Sequence, residues 1–325
     1  MSVLVLSEEC DPTADAVIDS LQRLDTEVYR VDLGWFPTRL DLDAVLGVAG
    51  WNGALHAGNR VIKLERLTSV FYRRPTAFRF EPGLTGPELR HAAMEAKLGL
   101  GGCLWAIPGL LWVNHPGRQA DMHKPVQLAA AKAAGLLVPR TLITNRPEAV
   151  ERFVRESPGR VVIKPLGFAS IHEDGARAAL YTHVLTDDEL TDLRGVETTA
   201  HMFQRYVQDK AYELRLTVVG QGRDAQFFPV AIHAGSPAST VDFRADYPSL
   251  AYTIAELPRD VELGVRAFMN KFGIALGHFD FSVDTDGRHW FLECNGAAGQ
   301  YQFTEKATGL PITDAIADML QKGTP

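Results

Sequence analysis

The clearest hydrophobic pattern of the chain lies near its C-terminus, over residues 278–295. Apolar residues recur at every second position on both sides of an Asp-Thr-Asp-Gly segment at 284–287, and Asp-Gly between alternating apolar residues is a strong hairpin signal. We therefore predict two antiparallel strands. Asp280 lies on the first strand, and Glu293 and Asn295 lie two positions apart on the second. The three side chains can therefore face the same side.

The N-terminal third alternates strand and helix patterns. A short apolar run at 3–6 is followed by helical spacing from 16 to 24 and a second strand over 27–33, which predicts the opening of an α/β sheet. Residues 7–12 contain no glycine, so we do not expect a dinucleotide site of the NAD type there. Further elements predicted in this third are a hairpin within 48–64, a strand at 68–72, a helix at 87–105 and a strand at 111–114.

The remaining two thirds continue the mixture of helix and strand patterns. The fold class is therefore α/β (α+β), with a domain boundary in the loop 115–119 that separates domain 1–115 from domain 116–325. Predicted helices occupy 121–135, 147–156, 258–272 and 311–320. Predicted strands occupy 136–143, 160–166, 201–207, 212–219, 225–234 and 251–256.

Composition narrows the class of protein. The length of 325 residues suggests about two domains, and the net charge of −7 argues against a general binder of nucleic acid or membrane surfaces. Cys10, Cys103 and Cys294 are widely separated and form no metal-binding spacing, which favours a reduced cytoplasmic protein. No basic N-terminal region precedes an apolar run, and no run approaches the roughly 18 apolar residues of a membrane span.

Several charged residues occupy positions where charge is unusual. Asp280, Glu293 and Asn295 offer the hard oxygen donors that magnesium prefers, although an acidic residue near a turn is more often a solvated edge residue. Lys124 lies in the first turn of a helix, where the dipole does not favour a cation, and Lys164 interrupts an apolar strand. These two lysines would suit an anionic ligand.

Two further segments could contact anions. The loop 167–175 is rich in small residues and bracketed by glycines, so its backbone could close over phosphate, or it could be a plain turn. The adjacent Arg73 and Arg74 end a strand and could bind a carboxylate or phosphate bidentately, or form an ordinary ion pair.

Taken in this order, the features of residues 115–325 resemble the ATP-grasp superfamily, in which two α+β subdomains clamp ATP between their sheets. The resemblance implies a smaller lid subdomain at about 138–206 and a large one at about 207–325. It implies phosphate binding by Lys124, Lys164 and the loop residues Gly167 and Ser170, adenine binding by Gln204, Tyr206 and Val207, ribose binding by Glu213, a phosphate-side Arg215, and metal binding by Asp280, Glu293 and Asn295.

Three further segments, the first of them in the N-terminal third, indicate a particular family within this superfamily. Phe-Tyr-Arg-Arg-Pro at 71–75, Val-Asp-Phe-Arg-Ala-Asp-Tyr at 241–247 and Glu-Cys-Asn-Gly-Ala-Ala-Gly-Gln-Tyr at 293–301 resemble the graspetide (microviridin-type) peptide ligases, which carry an MvdD-like pre-ATP-grasp domain. This implies that the protein uses ATP and two Mg²⁺ ions to phosphorylate Asp or Glu side chains of a ribosomally made precursor peptide. Ser, Thr or Lys side chains then close ω-ester or ω-amide rings. It also implies a homodimer and a peptide leader bound as a helix.

Four residues receive more open interpretations. Arg244, with Arg74 as second candidate, could pair the substrate carboxylate or form a structural ion pair. His278 lies on the strand face of Asp280 and is either a general base or, as we favour, a residue that positions the metal ligands. Cys294 stands where an aliphatic residue is more usual. We expect it to face the core.

Two other functions compete with peptide macrocyclisation. One is an ATP-grasp ligase that joins an amino acid or glutamate to a small acid or a protein tail. The other is a nucleotide-binding scaffold without turnover. The lysine pair and the metal trio argue against the scaffold, and the Arg-Arg-Pro segment favours the macrocyclase.

Overall fold

The computed structural model describes residues 2–48, 50–167, 170–173 and 176–325, with only the backbone described over 170–173 and 176–179. The first half comprises β1 (Ser2–Ser7), α1 (Pro12–Arg23), β2 (Glu27–Val31), β3 (Leu40–Gly47), β4 (Gly50–Ala57), β5 (Arg60–Lys63), β6 (Leu67–Arg74), α2 (Gly86–Trp105), β7 (Leu111–Val113), α3 (Pro116–Ala120), α4 (Lys124–Ala133), β8 (Thr141–Thr144) and α5 (Pro147–Glu156). The second half comprises β9 (Val161–Lys164), β10 (Ser170–Glu173), β11 (Ala176–Ala179), β12 (His183–Val184), α6 (Asp187–Thr191), β13 (His201–Arg205), β14 (Lys210–Val219), β15 (Gln226–His233), α7 (Pro237–Val241), β16 (Ala251–Ile254), α8 (Arg259–Phe272), β17 (Leu276–Asp284), β18 (His289–Asn295), α9 (Gln302–Thr308) and α10 (Ile312–Lys322).

The N-terminal strands form a four-stranded parallel sheet in the order β2-β1-β6-β7. One of its two central strands, β1, is buried on both faces. Val3 and Val5 pack against α1 and α10 on one face, whereas Leu4 and Leu6 pack against α2 and the three-stranded meander β3-β4-β5 on the other. This explains the uninterrupted apolar run at 3–6, because a parallel strand covered on both faces does not alternate with polar residues.

The C-terminal helix α10 returns to this sheet. Ser69 Oγ of β6 donates a hydrogen bond of 2.7 Å to the carbonyl of Leu320, and Asp314 accepts one of 2.6 Å from Ser20 Oγ of α1. The cluster that joins α1 to α10 also contains residues of the C-terminal half, among them Leu276 and Tyr301. The two halves of the chain therefore share one hydrophobic core.

In its described residues, the C-terminal half contains two large sheets and the two-stranded sheet β10-β11. The smaller of the two large sheets, which we call the lid sheet, has the order β12-β9-β13-β8 and packs on α5. The larger is a five-stranded antiparallel sheet in the order β16-β15-β14-β17-β18. One face of the larger sheet packs against α4 and α8.

The predicted hairpin and most predicted elements are confirmed. The elements β3, β12, α6, α7 and α9 were not predicted, and three predicted segments differ from the structure. Residues 116–120 form the helix α3 instead of a loop, because Pro116 suits the first helical position and His115 Nδ1 accepts from the Gly117 amide. The strand predicted over 136–143 begins only at Thr141. The predicted loop 167–175 contains β10, which pairs with β11; its residues 168, 169, 174 and 175 lie outside the described part.

Across the described residues, none of the helices is both long enough and apolar enough to cross a membrane.

Candidate active site

A cleft of about 500 Å³ lies between the lid sheet and the five-stranded sheet. Most of the residues that the sequence singled out line it. They are Arg74, Lys124, Lys164, Gly167, Gln204, Tyr206, Val207, Glu213, Arg215, Arg244, Asp280, Glu293 and Asn295. His278 is not among the lining residues, and the side chain of Ser170 lies outside the described part.

The two predicted phosphate-binding lysines enter the cleft from different elements. Lys124, the first residue of α4, donates through Nζ to the Pro165 carbonyl at 2.7 Å and lies 3.1 Å from Glu293 Oε2. Lys164, the last residue of β9, donates through Nζ to Gln204 Oε1 at 3.0 Å. Burial lowers the pKa of Lys164 to about 8, opposed chiefly by the negative charge of Glu293.

The predicted metal ligands meet through the register of β17 and β18, which pairs Asp280 directly with Glu293 and His278 with Asn295. Asn295 Nδ2 lies 3.4 Å from Asp280 Oδ2. On the neighbouring strand β14, Arg215 is the cross-strand partner of Asp280, and its Nε lies 2.9 Å from Asp280 Oδ1. The three oxygen-bearing side chains therefore form one group beside a fixed cation.

The electrostatics of this group fit a divalent cation. Burial raises the pKa of Asp280 to about 7, Arg215 opposes the shift, and the charges of Glu293 and Glu213 add to it. Burial also favours the protonated form of Glu293, but the Lys124 charge and hydrogen bond outweigh it, so that the pKa of Glu293 is lowered. A bound cation would let both carboxylates ionise.

Any such ion would take its third protein ligand from an amide. In the part of the chain that the structure describes, no cluster of three His, Cys, Asp or Glu residues could hold a metal. The Asp280, Glu293 and Asn295 set supplies two carboxylates and one amide oxygen, which are the hard donors that magnesium accepts. The residues therefore fit Mg²⁺ better than a softer metal.

The predicted nucleoside end of the cleft contains a residue that the sequence analysis missed. Lys210 lines the cleft, and its Nζ donates to Glu213 Oε1 at 2.7 Å with both side chains largely buried. Its Nζ also lies 5.9 Å from the centre of the Tyr206 ring, and Tyr206 Oη donates to the Thr240 carbonyl at 3.0 Å. The signal was a lysine three positions before an acidic residue in one strand, which is too common to single out.

Arg244 is held by a second missed residue, Asp242. The guanidinium donates through Nε to Oδ1 at 2.9 Å and through Nη2 to Oδ2 at 2.6 Å. Asp242 Oδ2 also accepts from the amide of Thr182 at 3.0 Å. Burial opposes ionisation of Asp242, but the Arg244 hydrogen bonds and charge lower the pKa of the carboxyl to about 2. Arg244 therefore forms the structural ion pair that the sequence left open, while still lining the cleft.

The two adjacent arginines have different positions. Arg74 lines the cleft and donates through Nε and Nη2 to the Ala298 carbonyl, at 3.2 and 2.6 Å. Arg73 is only 2% exposed and lies between the two halves of the chain. A carboxylate in the cleft could therefore meet Arg74 but not Arg73.

His278 is completely buried behind the cleft. Its Nδ1 lies 3.0 Å from Thr217 Oγ1, and its ring stacks on Tyr301 with 5.5 Å between centres. Burial lowers the pKa of His278 well below its usual value, so the ring stays neutral. This position favours packing beneath the site over proton transfer. Cys294 belongs to the hydrophobic cluster of α4 and α8, as predicted.

Comparison with known proteins gives consistent matches. The family model described as the MvdD pre-ATP grasp domain matches residues 2–119. A D-alanine–D-alanine ligase from Bordetella petrii is 28% identical over 146 residues, which cover 42% of this chain and 39% of the relative. The chain thus spans well under two thirds of that relative's length.

Several solved structures match the whole chain, and two of them are ligases with bound peptides, from Chryseobacterium and Microcystis. A RiPP-associated ATP-grasp ligase from Chryseobacterium gregarium, solved with ADP and a leader and core peptide, has a TM-score of 0.86 and 26% identity, over 100% of this chain and 98% of that one. The macrocyclase MdnC from Microcystis aeruginosa MRC, bound to the precursor peptide MdnA, has a TM-score of 0.83 and 27% identity over 100% of both chains. Residues 2–119 therefore match the MvdD pre-ATP-grasp domain, and the chain as a whole is an ATP-grasp ligase similar to these two structures.

Proposed function

We propose that this ligase closes rings in a ribosomally made precursor peptide by activating Asp or Glu side chains with ATP and joining them to Ser, Thr or Lys side chains. The observation that carries the proposal is the convergence of Lys124, Lys164 and Arg215 on the paired carboxylates Asp280 and Glu293 in one cleft. Similarity over the whole chain to two ligases solved with peptides supports a peptide as substrate.

The chemistry explains why such a site needs so many charges. A carboxylate must approach a triphosphate that is itself strongly negative, and this repulsion dominates the barrier. The carboxylate oxygen attacks the γ-phosphorus and ADP leaves. The hydroxyl or amine of the second side chain then attacks the acyl carbon, loses its proton, and phosphate leaves. Fixed cations that face the transferring phosphoryl group stabilise the first transition state without reorganising.

The residues of the cleft divide these tasks. Lys124, Lys164 and Arg215 would bind the phosphates. Mg²⁺ would supply further charge neutralisation and be held by Asp280, Glu293 and Asn295, and we propose two ions. Gly167 and Ser170 would close over the phosphates, Gln204, Tyr206 and Val207 would contact the adenine, and Glu213 the ribose.

Recognition of the peptide would use other residues of the cleft. Arg74 and Arg244 are the candidates for the substrate carboxylate, and both line the cleft. We propose that the leader segment binds as a helix and that the enzyme is a homodimer, which light scattering of the purified protein would test.

The test is incubation with ATP, Mg²⁺ and the precursor peptide, sought as a short Thr- and Glu- or Asp-rich reading frame beside the gene. Each ring should lower the peptide mass by one water, and tandem mass spectrometry should locate a bond between an acidic and a Ser, Thr or Lys side chain. Phosphate release without loss of water from the peptide would contradict macrocyclisation.

A second candidate is a ligase that joins amino acids or small acids, and the match to the D-alanine–D-alanine ligase favours it. Phosphate release driven by free amino acids would support this alternative. A nucleotide-binding scaffold would bind ADP and release no phosphate with either substrate.

A further inference from the structure

The segment Gly296–Gln300 immediately follows Asn295, the last predicted metal ligand. Ala298, Gly299 and Gln300 line the cleft. The segment has no regular structure, and within it only a turn bond of 2.8 Å joins the Gly299 amide to the Gly296 carbonyl. Something outside the segment must therefore fix its conformation.

The two glycines of the segment pack closely against side chains beneath them. A Cβ atom at Gly296 would lie 1.9 Å from Oε1 of Gln119, and one at Gly299 would lie 2.3 Å from the ring of His278. The backbone therefore lies directly on these two side chains. Gln119 Oε1 also accepts from the amide of Ala297 at 3.0 Å.

The N-terminal domain holds the opposite side of the Ala297 residue. Arg73 Nη1 donates to the Ala297 carbonyl at 2.8 Å, and Nη2 lies 3.3 Å from Thr13 Oγ1. Arg73 Nε lies 3.3 Å from Oδ2 of Asp11, whose Oδ1 caps α1 by accepting from the amides of Thr13 and Ala14. A buried and multiply fixed guanidinium thus determines where this carbonyl lies.

Stability alone does not account for this arginine. A buried ion pair contributes little net stability compared with apolar residues of the same volume, because desolvation offsets the attraction. Arg73 and Asp11 are 2% and 3% exposed, so the cost of desolvation is close to complete. The contact that apolar residues could not reproduce is the hydrogen bond to the Ala297 carbonyl.

We propose that Arg73 is a positioning residue, which sets the orientation of Asn295 and of the cleft-lining segment by fixing the peptide two residues beyond it. The N-terminal domain would thereby complete the metal site of the C-terminal half. The inference rests on the proposed function, since it assumes that Asn295 binds Mg²⁺ together with a nucleotide.

The test compares R73M, R73K and the double variant D11N/R73M with the wild type. ADP affinity is measured by calorimetry at increasing Mg²⁺ concentrations, without any peptide. The readout is the Mg²⁺ concentration at which half of the increase in ADP affinity has occurred. We expect this concentration to rise about 10- to 100-fold in R73M, as for other residues that orient metal ligands. ADP affinity in EDTA should stay unchanged.

The double variant separates positioning from stability. It removes both buried charges, so its thermal stability should return toward that of the wild type, while its Mg²⁺ requirement stays raised. R73K keeps a charge beside Asp11 and one donor, and should fall between wild type and R73M. R23M is the matched control, because Arg23 also joins the two halves, through Asp314 at 3.0 Å, but on the surface and at the opposite end of α1 from Asp11.

The outcomes are distinct. A normal Mg²⁺ requirement in D11N/R73M would show that Arg73 only balances Asp11, and would overturn the inference while leaving the proposed function intact. An equal rise in R23M would also overturn it, since loosening the domains would then suffice. Wild-type protein that binds no ADP with Mg²⁺ would overturn the proposed function itself.

Discussion

The parallel sheet of the N-terminal domain and the five-stranded sheet of the C-terminal half both contain a strand that is buried along its whole length, β1 and β17. The two strands differ in the residues that one of their faces carries. In β1, Val3 and Val5 face one core and Leu4 and Leu6 the other. In β17, all nine residues are buried. Phe279, Phe281 and Val283 face one hydrophobic core, whereas on the opposite face only Leu276, at the start of the strand, belongs to a hydrophobic cluster.

The other face of β17 carries His278, Asp280 and Ser282, opposite Thr217, Arg215 and Glu213 of β14. Polar groups are costly to bury unless they are paired with partners or a ligand. The first sheet therefore contributes stability, whereas the second holds charges that are compensated only in part by the protein. A buried strand with one polar face therefore indicates where the candidate active site lies.

The largest expected effect tests the apolar faces. Phe71 in the parallel sheet and Phe279 in the five-stranded sheet are both completely buried, and replacing either by Ala should lower the free energy of unfolding by about 3–5 kcal/mol. Urea denaturation measures this loss. ADP affinity of the folded protein should fall only in F279A, because Phe279 supports Asp280. An equal fall of ADP affinity in F71A would show that the two sheets do not differ in their contribution to the site.

The polar face is tested by D280N. Replacing this carboxylate should lower Mg²⁺-dependent ATP turnover with the precursor by about 10²–10³-fold, the cost of removing one preorganised electrostatic contact. D286N is the matched control, since Asp286 lies in the hairpin turn of the same strands with a side chain that is 70% exposed. Full activity in D280N would exclude the carboxylate from the site.

The pH dependence of ADP binding tests Lys164. Its pKa of about 8 means that the amine is charged below pH 8 and loses this charge as the pH rises. ADP affinity should therefore fall by about tenfold between pH 7 and 9, where linkage to one proton is complete. K164R stays charged throughout and should give a flat profile. The same decline in K164R would assign the titration to another group.

The smallest effect concerns the polar pair behind the cleft. T217V removes the hydroxyl that bonds His278 and leaves a buried nitrogen unpaired, which should lower the free energy of unfolding by about 1–3 kcal/mol. T217S keeps the hydroxyl and is the control. Thermal unfolding of both variants distinguishes the lost hydrogen bond from the lost methyl group, and a T217V protein as stable as the wild type would show that the pair contributes nothing.

The sequence by itself determined much of this protein. Alternating apolar residues predicted β17 and β18 and placed Asp280, Glu293 and Asn295 together, because side chains of a strand alternate with a period of two. The mixed helix and strand patterns predicted the fold class. Lys124 and Lys164 were visible as charges in positions that their local structure disfavours.

Only the tertiary structure decided how distant segments meet. No local pattern shows that α10 packs on α1, that Asp242 occupies the fork of Arg244, that Lys210 joins Glu213 inside the cleft, or that Arg73 reaches a carbonyl 224 positions away. Local patterns report which face of an element is buried, whereas the partner on that face depends on packing between elements. For this reason two adjacent arginines have different positions: Arg73 is buried against the Ala297 carbonyl, whereas Arg74 lines the cleft.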